Sequence, residues 1–176
     1  MANLHYVQLD DGRLVPWRPI QPGDAVRLQA LHRGHSERTR YLRFFSYYPE
    51  LSDRQAERFA SVDGHDRLAI VALDPDDPDV IIGVVRLDRE EGTDTAEYAA
   101  VVTDKWQGLG LGHGLTVPLL REARLQGIDR IYAIVQPGNI PMLGLLKGLG
   151  IPWQATHYDG VERIEIDLSQ VDEELT

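Results

Sequence analysis

The stretch Val101-Val-Thr-Asp-Lys-Trp-Gln-Gly-Leu-Gly-Leu-Gly112 decides the fold of this chain. It joins an extended segment to a glycine-rich turn, and a helical pattern follows directly. Gln107, Gly110 and Gly112 stand in a Q-x-x-G-x-G array, which brings backbone amides together at the start of that helix. Free N–H groups and the positive end of the helix dipole both favour a phosphate there, and glycine lets the backbone approach it closely. The stretch therefore predicts a phosphate-binding turn between a strand and a helix.

Two common phosphate-binding motifs do not fit these residues. A mononucleotide P-loop requires G-x-x-x-x-G-K-[ST], and no Lys-Ser or Lys-Thr pair follows the glycines. A dinucleotide fingerprint requires G-x-G-x-x-G, but counting from Gly108 and Gly110 puts His113 at the third glycine position. The next strand-like run also ends at Gln136, where an acid that binds a ribose is expected. A third alternative is the pyrophosphate arm of coenzyme A.

The array and the segments around it resemble the acyl-CoA loop of the GNAT superfamily of N-acetyltransferases. Glu97 precedes the loop on a strand, Gly127-Ile-Asp-Arg-Ile follows the helix, and Asn139-Ile-Pro-Met-Leu-Gly-Leu-Leu-Lys-Gly-Leu-Gly-Ile151 closes the unit. Upstream, Ser36-Glu-Arg-Thr-Arg-Tyr-Leu-Arg-Phe-Phe-Ser46 and Val62-Asp-Gly-His-Asp-Arg-Leu-Ala-Ile-Val-Ala72 resemble the catalytic domain of bacterial Pat-type protein lysine acetyltransferases. Together the resemblance covers roughly Leu14 to Ile151.

The order of predicted elements indicates an α/β protein with a mixed sheet. A strand over Thr95 to Val102 precedes the glycine turn, and a helix over His113 to Gln126 follows it. Asp24 is expected to cap the first helix, and Ser52-Asp-Arg-Gln55 is a capping-box pattern that starts another. We expect one domain over residues 1–176, with the last residues frayed. The GNAT resemblance implies a central sheet whose two middle strands splay apart, flanked by helices.

The site residues follow from alternation along the strand and from the resemblance. Alternation puts Glu97, Ala99 and Val101 on one face. The resemblance implies that Glu97 is the general base, often acting through a water; otherwise it is a solvated edge residue or an ion-pair partner. It also implies that acetyl-CoA is the cosubstrate, with its pantetheine arm between the splayed strands. The cofactor-binding residues expected are Val101, Val102, Thr103, Gln107, Gly108, Leu109, Gly110, Leu111, Gly112, His113 and Asn139. Turn chemistry alone is the other interpretation of Asn139.

One position departs from the pattern of many GNAT enzymes. Leu146 stands where they carry a tyrosine that protonates the departing thiol, although Pat-type proteins also tend to lack it. Either another group or water protonates the sulfur, or the coenzyme leaves as a thiolate, since thiol pKa values lie near 8.5. Tyr98, Tyr132 and Tyr158 are alternatives for which packing is the favoured role. Packing is also favoured for the helix aromatics Tyr41, Phe44 and Phe45, while Arg40 and Arg43 face either the substrate channel or solvent.

Composition excludes several classes of function. The 176 residues carry a formal charge of −10, which argues against nucleic-acid binding because that needs Lys and Arg to neutralise phosphates. There is no cysteine, and the histidines lack the spacing and carboxylates of a metal site. With neither an apolar run of about 20 residues nor an export signal, the expected location is the cytoplasm, away from membranes. A monomer or a homodimer is expected.

Three functions remain open from the sequence. The first is acetyl transfer from acetyl-CoA to a primary amine, most simply a lysine side chain of a protein. The second is acetylation of a small amine or amino acid. The third is a non-catalytic acyl-CoA sensor, which Glu97 disfavours and Leu146 keeps open.

Overall fold

The computed structural model describes residues 4–46 and 50–170 of the chain. In this part, eight strands form one mixed sheet in the order β1-β2-β3-β4-β5-β6-β8-β7, with five α-helices against its two faces. The strands are β1 (His5–Gln8), β2 (Leu14–Pro19), β3 (Arg67–Leu73), β4 (Ile81–Arg89), β5 (Thr95–Val102), β6 (Arg130–Val135), β7 (Trp153–Tyr158) and β8 (Val161–Asp167). The helices are α1 (Ala25–Gly34), α2 (Glu37–Phe44), α3 (Asp53–Ala60), α4 (Leu111–Leu125) and α5 (Ile140–Gly148).

The two middle strands, β5 and β6, run parallel, while the other neighbouring strands pair antiparallel. Their pairing is short, because it begins at Thr95 opposite Arg130 and ends at Glu97 opposite Tyr132. Beyond that point β5 stays with β4, and β6 stays with β8. The strands therefore separate into an open wedge, and the mixed sheet with splayed central strands is confirmed.

Each face of the sheet buries its own apolar cluster. The helix after the glycine turn, α4, covers the face that carries Tyr98, and its Leu115 and Leu120 are fully buried there. Helices α1 and α3 cover the other face over β3 and β4, where Leu28, Leu31 and Ala60 are buried. These helices leave the last strands, β7 and β8, open on that side, and all six residues of β7 are exposed.

Several local predictions are confirmed by the hydrogen bonds that they imply. The capping box forms at α3: Gln55 N–H donates to Ser52 Oγ, and Ser52 N–H donates to Gln55 Oε1. The central strand has the predicted bounds, and the helix after the glycine turn begins at Leu111, two residues before His113. Fraying of the last residues was predicted for a segment that, from 171 onward, lies outside the described residues.

The start of α1 differs from the prediction. The Asp24 side chain makes no capping hydrogen bond to the first turn of α1. It accepts the Gln21 N–H at 2.9 Å, in a capping box of the turn before α1, and two bonds from Arg18, at 2.7 and 2.8 Å, in a buried ion pair. Sequence spacing favoured a cap because the partner lies on a different element, β2, which local patterns do not reveal.

Candidate active site

The wedge between β5 and β6 opens into a cavity of about 450 Å³. The C-terminal half of β5, the glycine turn, the first turn of α4 and one face each of α2 and α5 enclose it. Its lining residues are Arg38, Thr39, Leu42, Arg43, Ala100, Val101, Val102, Asp104, Trp106, Gln107, Gly108, Gly110, Leu111, Gly112, His113, Asn139, Pro141, Met142 and Leu145. All the predicted cofactor-binding residues except Thr103 and Leu109 therefore line one cavity.

At each of the three glycines of the turn, a larger residue is disfavoured for a steric reason. Gly108 and Gly110 have φ angles of 71° and 82°, a region that side chains disfavour. A side chain at Gly110 would also come within 2.9 Å of the Asp10 carboxylate, which belongs to the β1–β2 turn. At Gly112 a Cβ would lie 2.7 Å from Leu145 of α5. The turn can therefore bring its amides to the mouth of the cavity only with glycine at these positions.

Main-chain groups of β5 face the wedge at alternate residues. Thr103 N–H donates to Ile82 O of β4 at 2.9 Å, so this amide is already used within the sheet. Because successive residues of a strand point their N–H and C=O to opposite sides, Val101 also faces β4. Val102 and Ala100 face the wedge. Of the predicted residues Val101, Val102 and Thr103, only Val102 therefore turns its main-chain N–H and C=O towards the wedge. Ala100 does so as well, although the resemblance did not predict it.

Two amide side chains hold the rim of the cavity. Gln107 Nε2 donates to Val102 O at 2.9 Å and to Thr39 Oγ1 at 3.3 Å, so this residue ties the turn to β5 and to α2. Asn139 caps α5, because its Oδ1 accepts the Met142 N–H at 3.2 Å. Its amide nitrogen and the second lone pair of Oδ1 remain for another partner. Asn139 thus caps α5 and lines the cavity, and its contact with a cofactor stays a prediction.

Glu97 lies at the point where the strands part, on the face opposite α4. It is solvent-exposed and outside the cavity lining, and its cross-strand neighbours are Asp88 and Tyr132. Arg43 projects from α2 towards the same region, where its charge interacts with that of Glu97. Burial, with a contribution from the nearby Arg86, lowers the pKa of Arg43 to about 10, so it stays cationic at neutral pH. The sequence left open whether Arg43 faces the substrate channel or solvent, and the structure places it at the cavity.

The tyrosines considered as proton donors have other partners or lie outside the cavity. Tyr98 is buried and donates to Thr116 Oγ1 at 2.6 Å, since the Thr116 hydroxyl itself donates to Gly112 O. Burial, and then contact with Glu90, raises the pKa of Tyr132 to about 12, and the Arg163 guanidinium stacks 3.5 Å from its ring centroid. Tyr158 is 44% exposed on β7. The contacts of Tyr98 and Tyr132 are therefore those of packed side chains.

Leu146, at the position of the missing tyrosine, is 1% exposed and belongs to the main core. The α5 residues that do reach the cavity after Asn139 are Pro141, Met142 and Leu145, none of which can donate a proton. This helix supplies no general acid.

The wall formed by α2 was not predicted from the sequence. Arg38, Thr39, Leu42 and Arg43 line the cavity, a spacing of one helical face that the aromatic run beside them obscures. The aromatic side chains of this segment differ in their burial. Phe44 packs edge-on against the buried His32, whereas Tyr41 and Phe45 are each 37% exposed, so core packing is wrong for those two.

Residues 4–46 and 50–170 contain neither a metal-binding cluster nor a membrane-spanning helix. No group of three or more His, Asp or Glu side chains is placed to hold a metal ion there. No helix in those ranges is both long and apolar enough to cross a bilayer.

Comparison with known proteins identifies the family. The model of the acetyltransferase (GNAT) domain matches residues 16–151. The chain is a GNAT acetyltransferase. It is 32% identical over 164 residues to an acetyltransferase of Pseudomonas aeruginosa, covering 91% of this chain and 87% of that protein. The GNAT domain of Streptomyces lividans PAT has a crystal structure that superposes with a TM-score of 0.86 at 34% identity, covering 94% of this chain and 97% of the other.

A longer relative matches over part of its length. The acetyltransferase Pat of Mycolicibacterium smegmatis is 32% identical over 171 residues, which are 94% of this acetyltransferase but 49% of Pat. The chain therefore corresponds to about half of that protein.

Proposed function

We propose that this acetyltransferase uses acetyl-CoA to acetylate a primary amine, with a protein lysine as the acceptor. The observation that carries the proposal is one cavity lined both by the glycine turn and by Ala100 to Val102 of β5, the part of that strand that has separated from β6. Amides at the α4 N-terminus suit the pyrophosphate, and the apolar side chains of Leu42, Met142 and Leu145 suit the pantetheine arm. The resemblance of residues 36–46 and 62–72 to Pat-type protein lysine acetyltransferases favours lysine as the acceptor, and the chain is similar to two proteins named Pat.

The proposed chemistry assigns each step to groups at the wedge. A lysine ammonium must lose a proton before it attacks the thioester, and Glu97, through a water, accepts it. Val102 and Ala100 present main-chain N–H groups that can bind the pantetheine amides and polarise the thioester carbonyl. Coenzyme A then leaves as a thiolate, or with a proton from water, because α5 carries no acid.

A thiol-release assay tests the proposal. Purified enzyme with acetyl-CoA is given a lysine-containing protein or peptide, spermidine, or free amino acids, and the free thiol is followed. We expect release with the lysine substrate and none with the same peptide in which the lysine is already acetylated. Release with spermidine or amino acids alone would assign a small-molecule acceptor. Acetyl-CoA binding without turnover on any acceptor would make the protein a sensor.

A further inference from the structure

Asp104, which follows β5, joins the glycine turn to helix α2, whose residues Arg38, Leu42 and Arg43 line the cavity. Asp104 stands between Val102 and the glycines, and its carboxylate accepts three hydrogen bonds from the first turn of α2. Ser36 N–H donates to Oδ2 at 2.9 Å, Ser36 Oγ donates to Oδ1 at 3.0 Å, and Thr39 Oγ1 donates to Oδ1 at 2.5 Å. The contact spans 65 residues of sequence between Thr39 and Asp104.

A second bond joins the same two elements. Gln107, within the turn, donates to the Thr39 hydroxyl at 3.3 Å while it also holds Val102 O. Thr39 is therefore bonded at once to Asp104, to Gln107 and, through its own N–H, to the capping Ser36. Thr39 itself is buried, at 9% exposure, whereas its partners Ser36, Asp104 and Gln107 lie at the surface.

These contacts matter because α2 is short. It has eight residues, and isolated helices of that length are marginal in water, so tertiary contacts must hold it in place. A carboxylate at its N-terminus is favourable to the helix dipole. Burial alone would raise the pKa of Asp104, but the bonds from Thr39 and Ser36 lower it overall, so the carboxylate is ionised at neutral pH. The same helix carries Arg38, Leu42 and Arg43 to the cavity.

We propose that Asp104 and Thr39 are positioning residues, through which cofactor binding at the glycine turn stabilises α2 and so prepares the acceptor side of the site. The inference rests on the proposed function, because it requires coenzyme A to bind at the turn. A ligand that orders residues 107–112 also fixes Gln107 and Asp104, and these two hold the first turn of α2. Cofactor and acceptor are then coupled thermodynamically, so each favours the binding of the other.

Hydrogen exchange of the backbone amides, measured with and without coenzyme A, tests the inference. In the wild type we expect coenzyme A to slow exchange in the turn, residues 107–112, and also in α2, residues 40–44. In Thr39→Val, which replaces a hydroxyl by a methyl group, the turn should remain protected while the protection of α2 by coenzyme A falls at least about three-fold, the effect of one lost hydrogen bond. Thr39→Ser, which keeps the hydroxyl, should restore it. Asp104→Ala should behave as Thr39→Val does.

Glu37→Gln is the matched control, because this exposed acid lies in the same first turn without a bond to Asp104. It should keep wild-type protection of α2. A merely structural role for Thr39 would speed exchange in α2 equally with and without coenzyme A, which would overturn the inference. The inference would also be overturned if, in the wild type, coenzyme A slowed exchange in the turn and left exchange in α2 unchanged. If coenzyme A protected neither segment, the proposed function would fail together with the inference.

Discussion

At the scale of single residues, the proposed function depends most on Glu97. It stands at the last paired position of β5 and β6, where the two strands begin to separate, and its side chain is solvent-exposed. The sequence predicted its strand and its face, because alternation alone fixes both. Sequence could not predict Arg43 beside it, since that residue comes from a helix far away in the chain.

Replacing Glu97 by glutamine should remove the proton acceptor and keep the shape of the side chain. We expect kcat at neutral pH to fall by at least about ten-fold, which is modest among general-base effects, with little change in the affinity for acetyl-CoA. Steady-state rates with the lysine substrate measure it. Glu91→Gln, an exposed acid in the β4–β5 turn, is the control and should keep wild-type rates. Full turnover in Glu97→Gln would show that another group is the base.

Protonation of His35 is expected to change the stability of the fold. It is 4% exposed, and burial lowers its pKa to about 4. In the unfolded chain a histidine titrates near 6.5, so between these two values the unfolded state binds the additional proton. We expect the free energy of unfolding to fall by up to about 3 kcal/mol as the pH drops from 6.5 to 4. Urea unfolding at a series of pH values measures this slope.

His35→Asn should flatten that slope whatever its effect on stability at neutral pH. His65→Asn is the comparison, because the His65 side chain is 62% exposed. Aspartates with lowered pKa lose their contribution below about pH 4, outside this window. A slope unchanged by His35→Asn would contradict the assignment.

At the scale of elements, the glycine turn sets the geometry of the cofactor end. Gly110→Ala places a side chain at φ 82° and against Asp10, so we expect the affinity for acetyl-CoA to fall at least about ten-fold through displaced amides. Gly64→Ala is a matched control, because Gly64 has a φ of 74° with open space around it. Both variants should lose about 1–2 kcal/mol of stability, but Gly64→Ala should bind acetyl-CoA normally. Calorimetry and urea unfolding separate the two effects.

The ion pair of Arg18 and Asp24 fixes the start of α1 to β2. Both side chains are almost fully buried, at 6% and 2% exposure. Asp24→Asn leaves a buried guanidinium without its counter-charge, and we expect it to destabilise the fold by about 3–5 kcal/mol. Asp79→Asn removes the exposed partner of Arg27 and should cost less than about 1 kcal/mol. Equal losses in the two variants, measured by urea unfolding, would refute this account of the pair.

These elements show which structural features a sequence pattern can predict. Alternation, capping boxes and glycine spacing are local, and they predicted β5, α3 and the turn before α4. The Arg18–Asp24 pair joins two different elements across six residues, and the Asp104 contacts join residues 65 and 68 apart. Only the packed fold brings them together, so no local pattern could have supplied them.

At the scale of the whole molecule, the sheet topology produces the site. Two middle strands that pair over only three positions must separate, and the helix that follows the first of them begins at the open end. The resemblance to GNAT enzymes supplied this architecture, since composition and periodicity alone predicted only a mixed sheet. The same topology leaves β7, at the edge of the sheet, exposed along its whole length.

The most direct test of the central claim is a calorimetric titration of the wild-type protein with acetyl-CoA, NADH and ATP under the same conditions. The glycine turn and the wedge predict saturable one-to-one binding of acetyl-CoA, weakened in Gly110→Ala, and no measurable binding of the other two nucleotides. Binding of NADH or ATP with no affinity for acetyl-CoA would contradict the account.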